Sequence, residues 1–202
     1  MARTQQQRRE DTIARLLDAS IDTIIDVGYA KASAAEITKR AQVSDGALFR
    51  HFATMGDFMA ATAYEVMRRQ LEVGAKLVAD IPPDKPALES VLTILRDITG
   101  NPTNTVMYEL MVAARTDEKL RATLKDVLAV YSAKICDAVR AVPSADDLET
   151  FGEENFAAVV ALLVNTFDGA SIVRHVLPQP EIEERRIPLL LSLLTSDDGA
   201  SR

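Results

Sequence analysis

The stretch ITKRAQVSDGALFRHF, residues 37–52, decides the fold. Just before it, Ser33 and Glu36 have the S-x-x-E spacing of a capping box, which predicts a helix that begins at Ser33. Ser44 is a favourable N-cap residue and predicts a third helix of about seven residues, Asp45–His51. Two helices joined by a turn of three or four residues, the second of them short, have the geometry of a helix-turn-helix.

The predicted third helix has an unusual outer face. With Val43, Leu48 and Phe52 directed to a core, the side chains left on or near the outside are Asp45, Ala47, Phe49, Arg50 and His51. An exposed phenylalanine beside arginine and histidine is hard to explain as solvated surface. Because the second helix of a helix-turn-helix enters the DNA major groove, this face is a candidate DNA-binding surface. A core position for the Phe49 ring remains the alternative.

Helical spacing of apolar residues continues through the whole chain, and strand-like alternation is absent. Ile13, Leu16 and Ile24 belong to a first helix at about residues 9–27, which Gly28 would end. A T-x-x-D box at residues 54–57 precedes a long helix that extends to about residue 79. Further helices are predicted at about residues 86–99, 104–114, 117–141, 149–176 and 181–194. The pattern therefore predicts an all-α protein of about nine helices.

Composition and charge exclude several classes of protein. Among 202 residues, 48% are hydrophobic and 26% charged, which is typical of a folded globular chain. No uninterrupted apolar run reaches the roughly 18 residues of a membrane span, so we expect no membrane contact and a cytoplasmic location. The single cysteine, Cys136, excludes an internal disulfide. The net charge of −7 disfavours DNA binding by the whole chain, but residues 1–53 carry eight Lys+Arg against seven Asp+Glu.

The run GYAKASAAEITKRAQVSDGALFRHF, residues 28–52, resembles without a gap the DNA-binding head of the tetracycline-repressor-like (TetR) transcriptional regulators. The matching points are Gly28-Tyr29, Glu36-Ile37, Arg40-Ala41, Val43-Ser44, Gly46, Leu48-Phe49 and His51-Phe52. The segments YELMVAARTDEKLRATL and ALLVNTFDGASI resemble later helices of that family. The resemblance implies a homodimer with a helix-turn-helix DNA-binding domain at residues 1–53 and a ligand-binding and dimerisation domain at residues 54–202. A small organic inducer would release it from a palindromic double-stranded DNA operator, and no cofactor is implied.

The resemblance also implies a set of DNA-contacting positions. Arg50 would read guanine or contact a phosphate, and His51 would donate to a phosphate. Phe49 stands where the family often has Tyr and would keep the apolar contact. Ser44 would cap the recognition helix near a phosphate, and Gly46 would permit close approach. The full predicted DNA-binding set is Ser33, Ser44, Asp45, Gly46, Ala47, Phe49, Arg50, His51 and Thr54.

Three positions depart from the family pattern. Asp45 stands where many members carry Lys, Met55 stands where a basic residue usually follows the recognition helix, and Ala32 replaces a frequent Thr. Fewer phosphate contacts predict a shallow salt dependence, since the logarithmic slope is about 0.9 per neutralised phosphate. Asp45 has two alternatives, accepting a hydrogen bond from cytosine or serving as a favourable charge at the helix N-terminus.

A polar arm is expected to precede the first helix. It carries Arg3, Arg8 and Arg9, and a disordered tail is one interpretation of it. The other is an arm that touches the minor groove or the phosphates, as basic N-terminal arms do.

The C-terminal part supplies candidates for two further surfaces. The inducer-site candidates are adaptable or aromatic apolar residues with a few polar ones, and ordinary core placement is the alternative for each: Met67, Met107, Tyr108, Met111, Arg115, Tyr131, Asn165 and Phe167, with Glu109 as a further polar candidate. Small residues on a long apolar helix allow a second copy to approach closely. The predicted dimer interface is Val160, Leu163, Phe167, Gly169, Ala170, Leu190 and Leu194. A helix break at Asp168-Gly169 is the alternative for that segment.

Two other functions compete with the leading one. Asp45, Met55 and the net charge favour a helical dimeric ligand-binding or protein-interaction module with weakened DNA affinity. An enzyme is disfavoured, because the sequence contains no Gly-rich phosphate loop, no His/Cys metal spacing and no nucleophile paired with a base.

Overall fold

The computed structural model describes residues 4–82, 84–142 and 152–195, except for the Asp45 side chain. Within these ranges every regular element is a helix, which confirms the predicted all-α class. The helices are α1 (Gln5–Val27), α2 (Ala34–Arg40), α3 (Asp45–His51), α4 (Met55–Ala79), α5 (Ala87–Thr99), α6 (Asn104–Ala113), α7 (Glu118–Arg140), α8 (Glu153–Arg174) and α9 (Pro180–Thr195), and a 3-10 turn, Tyr29–Lys31, lies between α1 and α2.

α1 begins earlier than the apolar spacing predicts. Thr4 and Gln7 form a reciprocal capping box, in which Gln7 N–H donates to Thr4 Oγ1 over 3.1 Å and Thr4 N–H donates to Gln7 Oε1 over 2.9 Å. Glutamine and arginine favour helix, so the capped segment joins the apolar part of the helix without a break. Arg8 and Arg9 therefore lie in α1, and their predicted place on a polar arm is wrong. Arg3 lies outside the described residues.

The predicted bounds of the other helices differ from the observed bounds by only a few residues. The box before α4 is present, with Asp57 N–H donating to Thr54 Oγ1 and Thr54 N–H donating to Asp57 Oδ2. α8 runs unbroken through Asp168 and Gly169, so a helix break there is wrong. The predicted start of that helix at residue 149, the linker at 143–147 and the tail at 196–202 lie outside the described residues.

The chain divides into two compact units that do not follow a boundary at residue 53. One unit joins Met1–Gln70 with Pro102–Tyr131, so α6 and the first part of α7 pack with the helix-turn-helix segment. Its core includes Leu16, Ile37, Leu48 and Phe58, all fully buried. The predicted functional boundary at residue 53 therefore does not coincide with a boundary between the compact units.

The second unit, Leu71–Asn101 with Ser132–Arg202, has a core between α5, α8 and α9. Leu88 and Leu92 of α5 pack in the same cluster as Val160, Leu163 and Phe167 of α8. Those three α8 residues are buried by their own unit, so their predicted place on a dimer interface is wrong. Periodicity identified them as inward-facing, but it does not distinguish a core within one chain from an interface with a second copy.

The remaining face of α8 is apolar and largely uncovered. By length and composition, α8 is the one helix in the described ranges that could cross a membrane, and 28% of its most apolar window is buried. Asn165, Thr166 and Asp168 interrupt the apolar run of α8, as the sequence analysis expects, but they are too few to bring its mean hydropathy below that of a membrane span. Leu162 and Ile172 are exposed on this helix.

Candidate nucleic-acid interface

Ser33 caps the first helix of the helix-turn-helix, as the sequence predicts, but only one of the two hydrogen bonds of the capping box is formed. Ser33 Oγ accepts a hydrogen bond from Glu36 N–H over 3.2 Å. Ser33 N–H donates to the Lys31 carbonyl over 2.9 Å and so does not need the glutamate. A carbonyl of the 3-10 turn therefore accepts the hydrogen bond from Ser33 N–H that the Glu36 side chain would accept in a complete capping box.

The turn between α2 and α3 is built around a residue that the sequence analysis did not single out. Gln42 has φ of 53°, in the left-handed region. Val43 N–H donates to the Thr38 carbonyl and Gln42 N–H to the Lys39 carbonyl, which is the Schellman pattern of helix termination. Arg15 of α1 donates to the carbonyls of Ala41 and Gln42 and so fixes the turn against α1.

α3 buries more of its surface than expected. Leu48 is fully buried as predicted, but Ala47 is also buried, with 2% of its surface exposed, so its predicted place on the outer face is wrong. Adjacent residues point about 100° apart on a helix, so the buried stripe of this short helix is wide enough to include both. Phe49 is 53% exposed, which excludes the core position for its ring. Arg50 is exposed beside it.

The N-terminus of α3 differs from the expectation in one respect. Ser44 has the extended backbone of an N-cap residue, and its carbonyl accepts from Ala47 N–H over 2.8 Å. Ser44 is therefore the N-cap residue, as predicted, but its side chain makes no cap hydrogen bond. Gly46 is exposed, and a methyl group added there would meet nothing within 4 Å. The free chain therefore gives no packing reason for glycine at this position.

A cluster of cations lies at the C-terminal end of α3. Burial lowers the pKa of the half-buried His51 below its ordinary value, and the positive charges of Arg9 and Arg50 lower that pKa further. Arg9 comes from the first turns of α1, so α1 and α3 together supply this cluster. Thr54, the last predicted position, is exposed, but its hydroxyl is engaged in the cap of α4.

The surface combines an exposed aromatic ring, two arginines, a histidine and the start of a short helix whose N-cap side chain makes no cap hydrogen bond. Such a combination suits contact with phosphates and base edges, because cations position a protein on the backbone while the ring and an arginine reach the groove. Residues 16–62 match the model of the family described as bacterial regulatory proteins, tetR family. Over 196 residues the chain is 72% identical to an uncharacterized HTH-type transcriptional regulator of Mycobacterium bovis, a match that covers 97% of this chain and 99% of the relative.

The chain belongs to the tetR family of bacterial transcriptional regulators. A relative from Mycobacterium tuberculosis, also named an uncharacterized HTH-type transcriptional regulator, is 72% identical over the same length, with coverage of 97% and 99%. The solved structure of a TetR-family regulator from Rhodococcus sp. covers 92% of this chain and 98% of its own at a TM-score of 0.73 and 16% identity. The multidrug binding protein EbrR, solved with imidazole, is 25% identical with a TM-score of 0.60 and coverage of 90% and 93%.

In this tetR-family regulator, some predicted inducer-site residues belong to a buried hydrogen-bonded chain. Tyr131 Oη donates to Gln70 Oε1 over 2.6 Å, Gln70 Nε2 donates to Asn104 Oδ1 over 2.7 Å, and Asn104 Nδ2 donates to Tyr108 Oη over 2.6 Å. These four residues, here called the amide–phenol chain, connect α4, α6 and α7 within the first unit. Sequence reasoning found the tyrosines and missed both amides. Each amide is a polar residue on an otherwise apolar helix face, and this pattern could have identified it as a buried hydrogen-bonding group.

The other predicted inducer-site residues are dispersed. In the first unit, Met67 and Met107 are buried in the core, whereas Met111 and Arg115 are exposed. In the second unit Asn165 is exposed, and Phe167 is buried in the core cluster described above.

Proposed function

We propose that this tetR-family regulator binds an inverted-repeat DNA operator as a homodimer, with one α3 in the major groove at each half-site, and acts as a repressor. The observation that carries the proposal is the exposed face of α3, where Phe49 and Arg50 stand beside His51. The two recognition helices of such a dimer would lie about 34–36 Å apart, one turn of DNA.

Each side chain of this face has a proposed role. Arg50 reads guanine in the groove or contacts a phosphate, and Phe49 makes an apolar contact such as that with a thymine methyl group. Arg9 and His51 contact phosphates, where His51 gains a proton because an anion favours the charged imidazole. Gly46 permits close approach of the DNA backbone, since nothing in the free chain occupies the space beside it.

We place the dimer interface on the uncovered faces of α8 and α9. In the place of the buried Val160, Leu163 and Phe167, we expect exposed residues of α8 and α9 to meet the second copy, together with the predicted Gly169 and Ala170: Leu162, Ile172, Val173, Leu189 and Leu193. The predicted Leu190 and Leu194 are partly buried and pack against the core of their own unit. Gly169 is exposed and has open space beside it, which suits a close crossing of two helices. A self-complementary apolar surface also accounts for the low burial of α8 without a membrane, and a cytoplasmic location accompanies it.

We further infer that a small organic molecule releases the regulator from DNA and that the body has no catalytic role. Support comes from EbrR, which is named a multidrug binding protein and was solved with imidazole. Within the described residues no three His, Cys, Asp or Glu side chains gather as a metal site would require. The amide–phenol chain supplies neutral hydrogen-bonding groups, which favour a neutral polar ligand over an ion.

The test of DNA binding is selection of bound duplexes from a random pool with the purified full chain, followed by affinity measurement on the enriched sequence. We expect an inverted repeat, and we expect Arg50→Ala to weaken binding by about 1–3 kcal/mol and to relax the preference at one position of each half-site. Lys134→Ala is the matched control, because it removes one exposed positive charge from α7, outside the helix-turn-helix. A folded wild-type dimer that enriches no sequence at low salt would instead favour the protein-interaction module.

A further inference from the structure

The junction between α1 and α2 is held by a carboxylate from α6. Glu109 Oε2 accepts a hydrogen bond from the backbone N–H of Tyr29, the first residue of the 3-10 turn. Gly28, just before it, has φ of 83°, in the left-handed region that favours glycine. A Cβ on residue 28 would stand 3.3 Å from Glu109 Oε2, closer than ordinary contact. The junction is therefore shaped to let the carboxylate reach the backbone.

This contact is positioned to control where the helix-turn-helix begins. Only the rest of the 3-10 turn and Ala32 separate Tyr29 from Ser33, the N-cap of α2. A part-buried N–H that loses its acceptor costs free energy, so the local conformation depends on Glu109 staying in place. Burial raises the pKa of the Tyr29 phenol, and the charge of Asp117, just before α7, raises it further.

α6 carries the amide–phenol chain as well as Glu109. Asn104 and Tyr108 are four residues apart and share one face of the helix, on which they connect to α4 and α7. Glu109 directly follows Tyr108, about 100° further round the helix, and reaches the 3-10 turn after α1. α6 is a single helix of ten residues, so a shift or rotation that rearranges the amide–phenol chain also moves the Glu109 carboxylate.

We propose that Glu109 is a positioning residue that couples the state of α6 to the DNA-binding conformation of the helix-turn-helix. The proposal rests on the proposed function, since it presumes an operator. With the carboxylate in place, Tyr29 N–H is satisfied and the α1–α2 junction is fixed for DNA. A displacement of α6 withdraws the carboxylate and frees the junction. Coupling of this kind is reciprocal, so DNA binding must in turn restrict α6.

The test uses amide hydrogen exchange of the full chain with and without the selected operator duplex, which needs no inducer. In the wild type, we expect the duplex to slow exchange at Tyr29 and also along α6, by about threefold or more. In Glu109→Ala, we expect faster exchange at Tyr29 without DNA, no response of α6 to DNA, and operator affinity lower by about three- to thirtyfold. Glu109→Gln keeps an acceptor oxygen but loses the charge. We therefore expect its amide exchange and operator affinity to change in the same direction as in Glu109→Ala, by about two- to threefold.

Glu118→Ala is the matched control, because it removes one exposed acidic side chain from the first turn of α7 in the same unit. A response of α6 to DNA that persists in Glu109→Ala, or an operator affinity that matches the Glu118→Ala control, overturns the coupling. If Glu109→Ala does not fold, Glu109→Gln decides, and wild-type behaviour of that variant overturns the proposal. If the wild type itself enriches no duplex, the proposed function fails before any Glu109 variant is compared.

Discussion

At the scale of single residues, Gln42 is the position where local preference and fold disagree. Its left-handed conformation costs a residue with a Cβ roughly 1–2 kcal/mol, and glycine adopts it freely. The Schellman hydrogen bonds and the donation from Arg15 hold Gln42 in this conformation. The sequence around Gln42 does not predict a left-handed residue, because glutamine is not a typical turn residue.

We expect Gln42→Gly to stabilise the protein. Relief of the left-handed strain is partly offset by the greater freedom of glycine in the unfolded chain, which leaves a gain of about 0.5–1 kcal/mol. Urea denaturation measures it as a higher midpoint with an unchanged slope. Lys39→Gly, at an exposed position of α2, is the control and should lose about 1 kcal/mol. If Gln42→Gly and Lys39→Gly lose equal amounts of stability, the backbone of Gln42 is not strained.

At the scale of helices, charged residues tie α1 to α4. Glu65 accepts hydrogen bonds from Arg68 over 2.8 Å and from Arg69 over 2.7 Å, and Arg69 also pairs with Asp18 of α1. The bond from Arg68 is the largest cause that lowers the pKa of Glu65, and the bond from Arg69 adds to it against the effect of burial, so that the pKa falls to about 2. The Glu65 side chain is 15% exposed, whereas both arginines are more open to solvent.

This network predicts a loss of stability in acid. Because the pKa of Glu65 falls from about 4.5 unfolded to about 2 folded, its stabilisation is complete above about pH 5 and is lost as the pH falls toward 2. Allowing for the solvent around the arginines, the contribution is about 1–2 kcal/mol. We expect Glu65→Gln to be less stable by that amount at pH 7 and to approach the wild type as the pH falls toward 2, as measured by urea denaturation.

The control for Glu65→Gln is Asp80→Asn, which removes one exposed acidic charge just after α4 and outside this network. It should change the stability at pH 7 by less than about 0.5 kcal/mol. A stability difference between Glu65→Gln and wild type that stays constant from pH 7 to pH 2.5 would contradict the assignment.

What the sequence could predict follows the range of the interactions. Capping boxes and apolar spacing depend on residues three or four apart, and they placed α3 and the start of α4 correctly. The exposed ring of Phe49 also followed from helix phase. The contacts of Arg15 and Glu109 join residues far apart in the chain, and no local pattern encodes such contacts. Ala47 was misplaced because the width of a buried stripe depends on what packs against it.

At the scale of the whole molecule, packing and function divide the chain differently. α6 belongs to the same compact unit as the helix-turn-helix, although a division by function would place it in the ligand-binding body. The helix that the proposed inducer would disturb is therefore already packed against α1. This arrangement gives a short structural connection between the proposed inducer response of α6 and DNA binding by the helix-turn-helix. Glu109 lies on that connection.

The proposed homodimer is also tested at this scale. Leu162 is 61% exposed on α8 and Leu193 is 66% exposed on α9, and we expect each to be buried in the proposed interface. Glutamate in place of either would bring an unpaired charge into that contact, so Leu162→Glu and Leu193→Glu should weaken dimerisation by more than about 2 kcal/mol, which is more than tenfold. Sedimentation velocity at micromolar concentration measures the shift to monomer, and circular dichroism should remain that of the folded chain.

The neighbouring Leu163 gives the matched contrast, because it is buried by its own unit. Leu163→Ala should lower the free energy of unfolding by about 2–5 kcal/mol through the cavity it leaves, with any effect on dimerisation following from the loss of fold. A monomer produced by Leu162→Glu can occupy one half-site only, so its operator affinity should fall with the dimer. If both glutamate variants sediment as the wild-type dimer, the interface does not lie on these faces of α8 and α9.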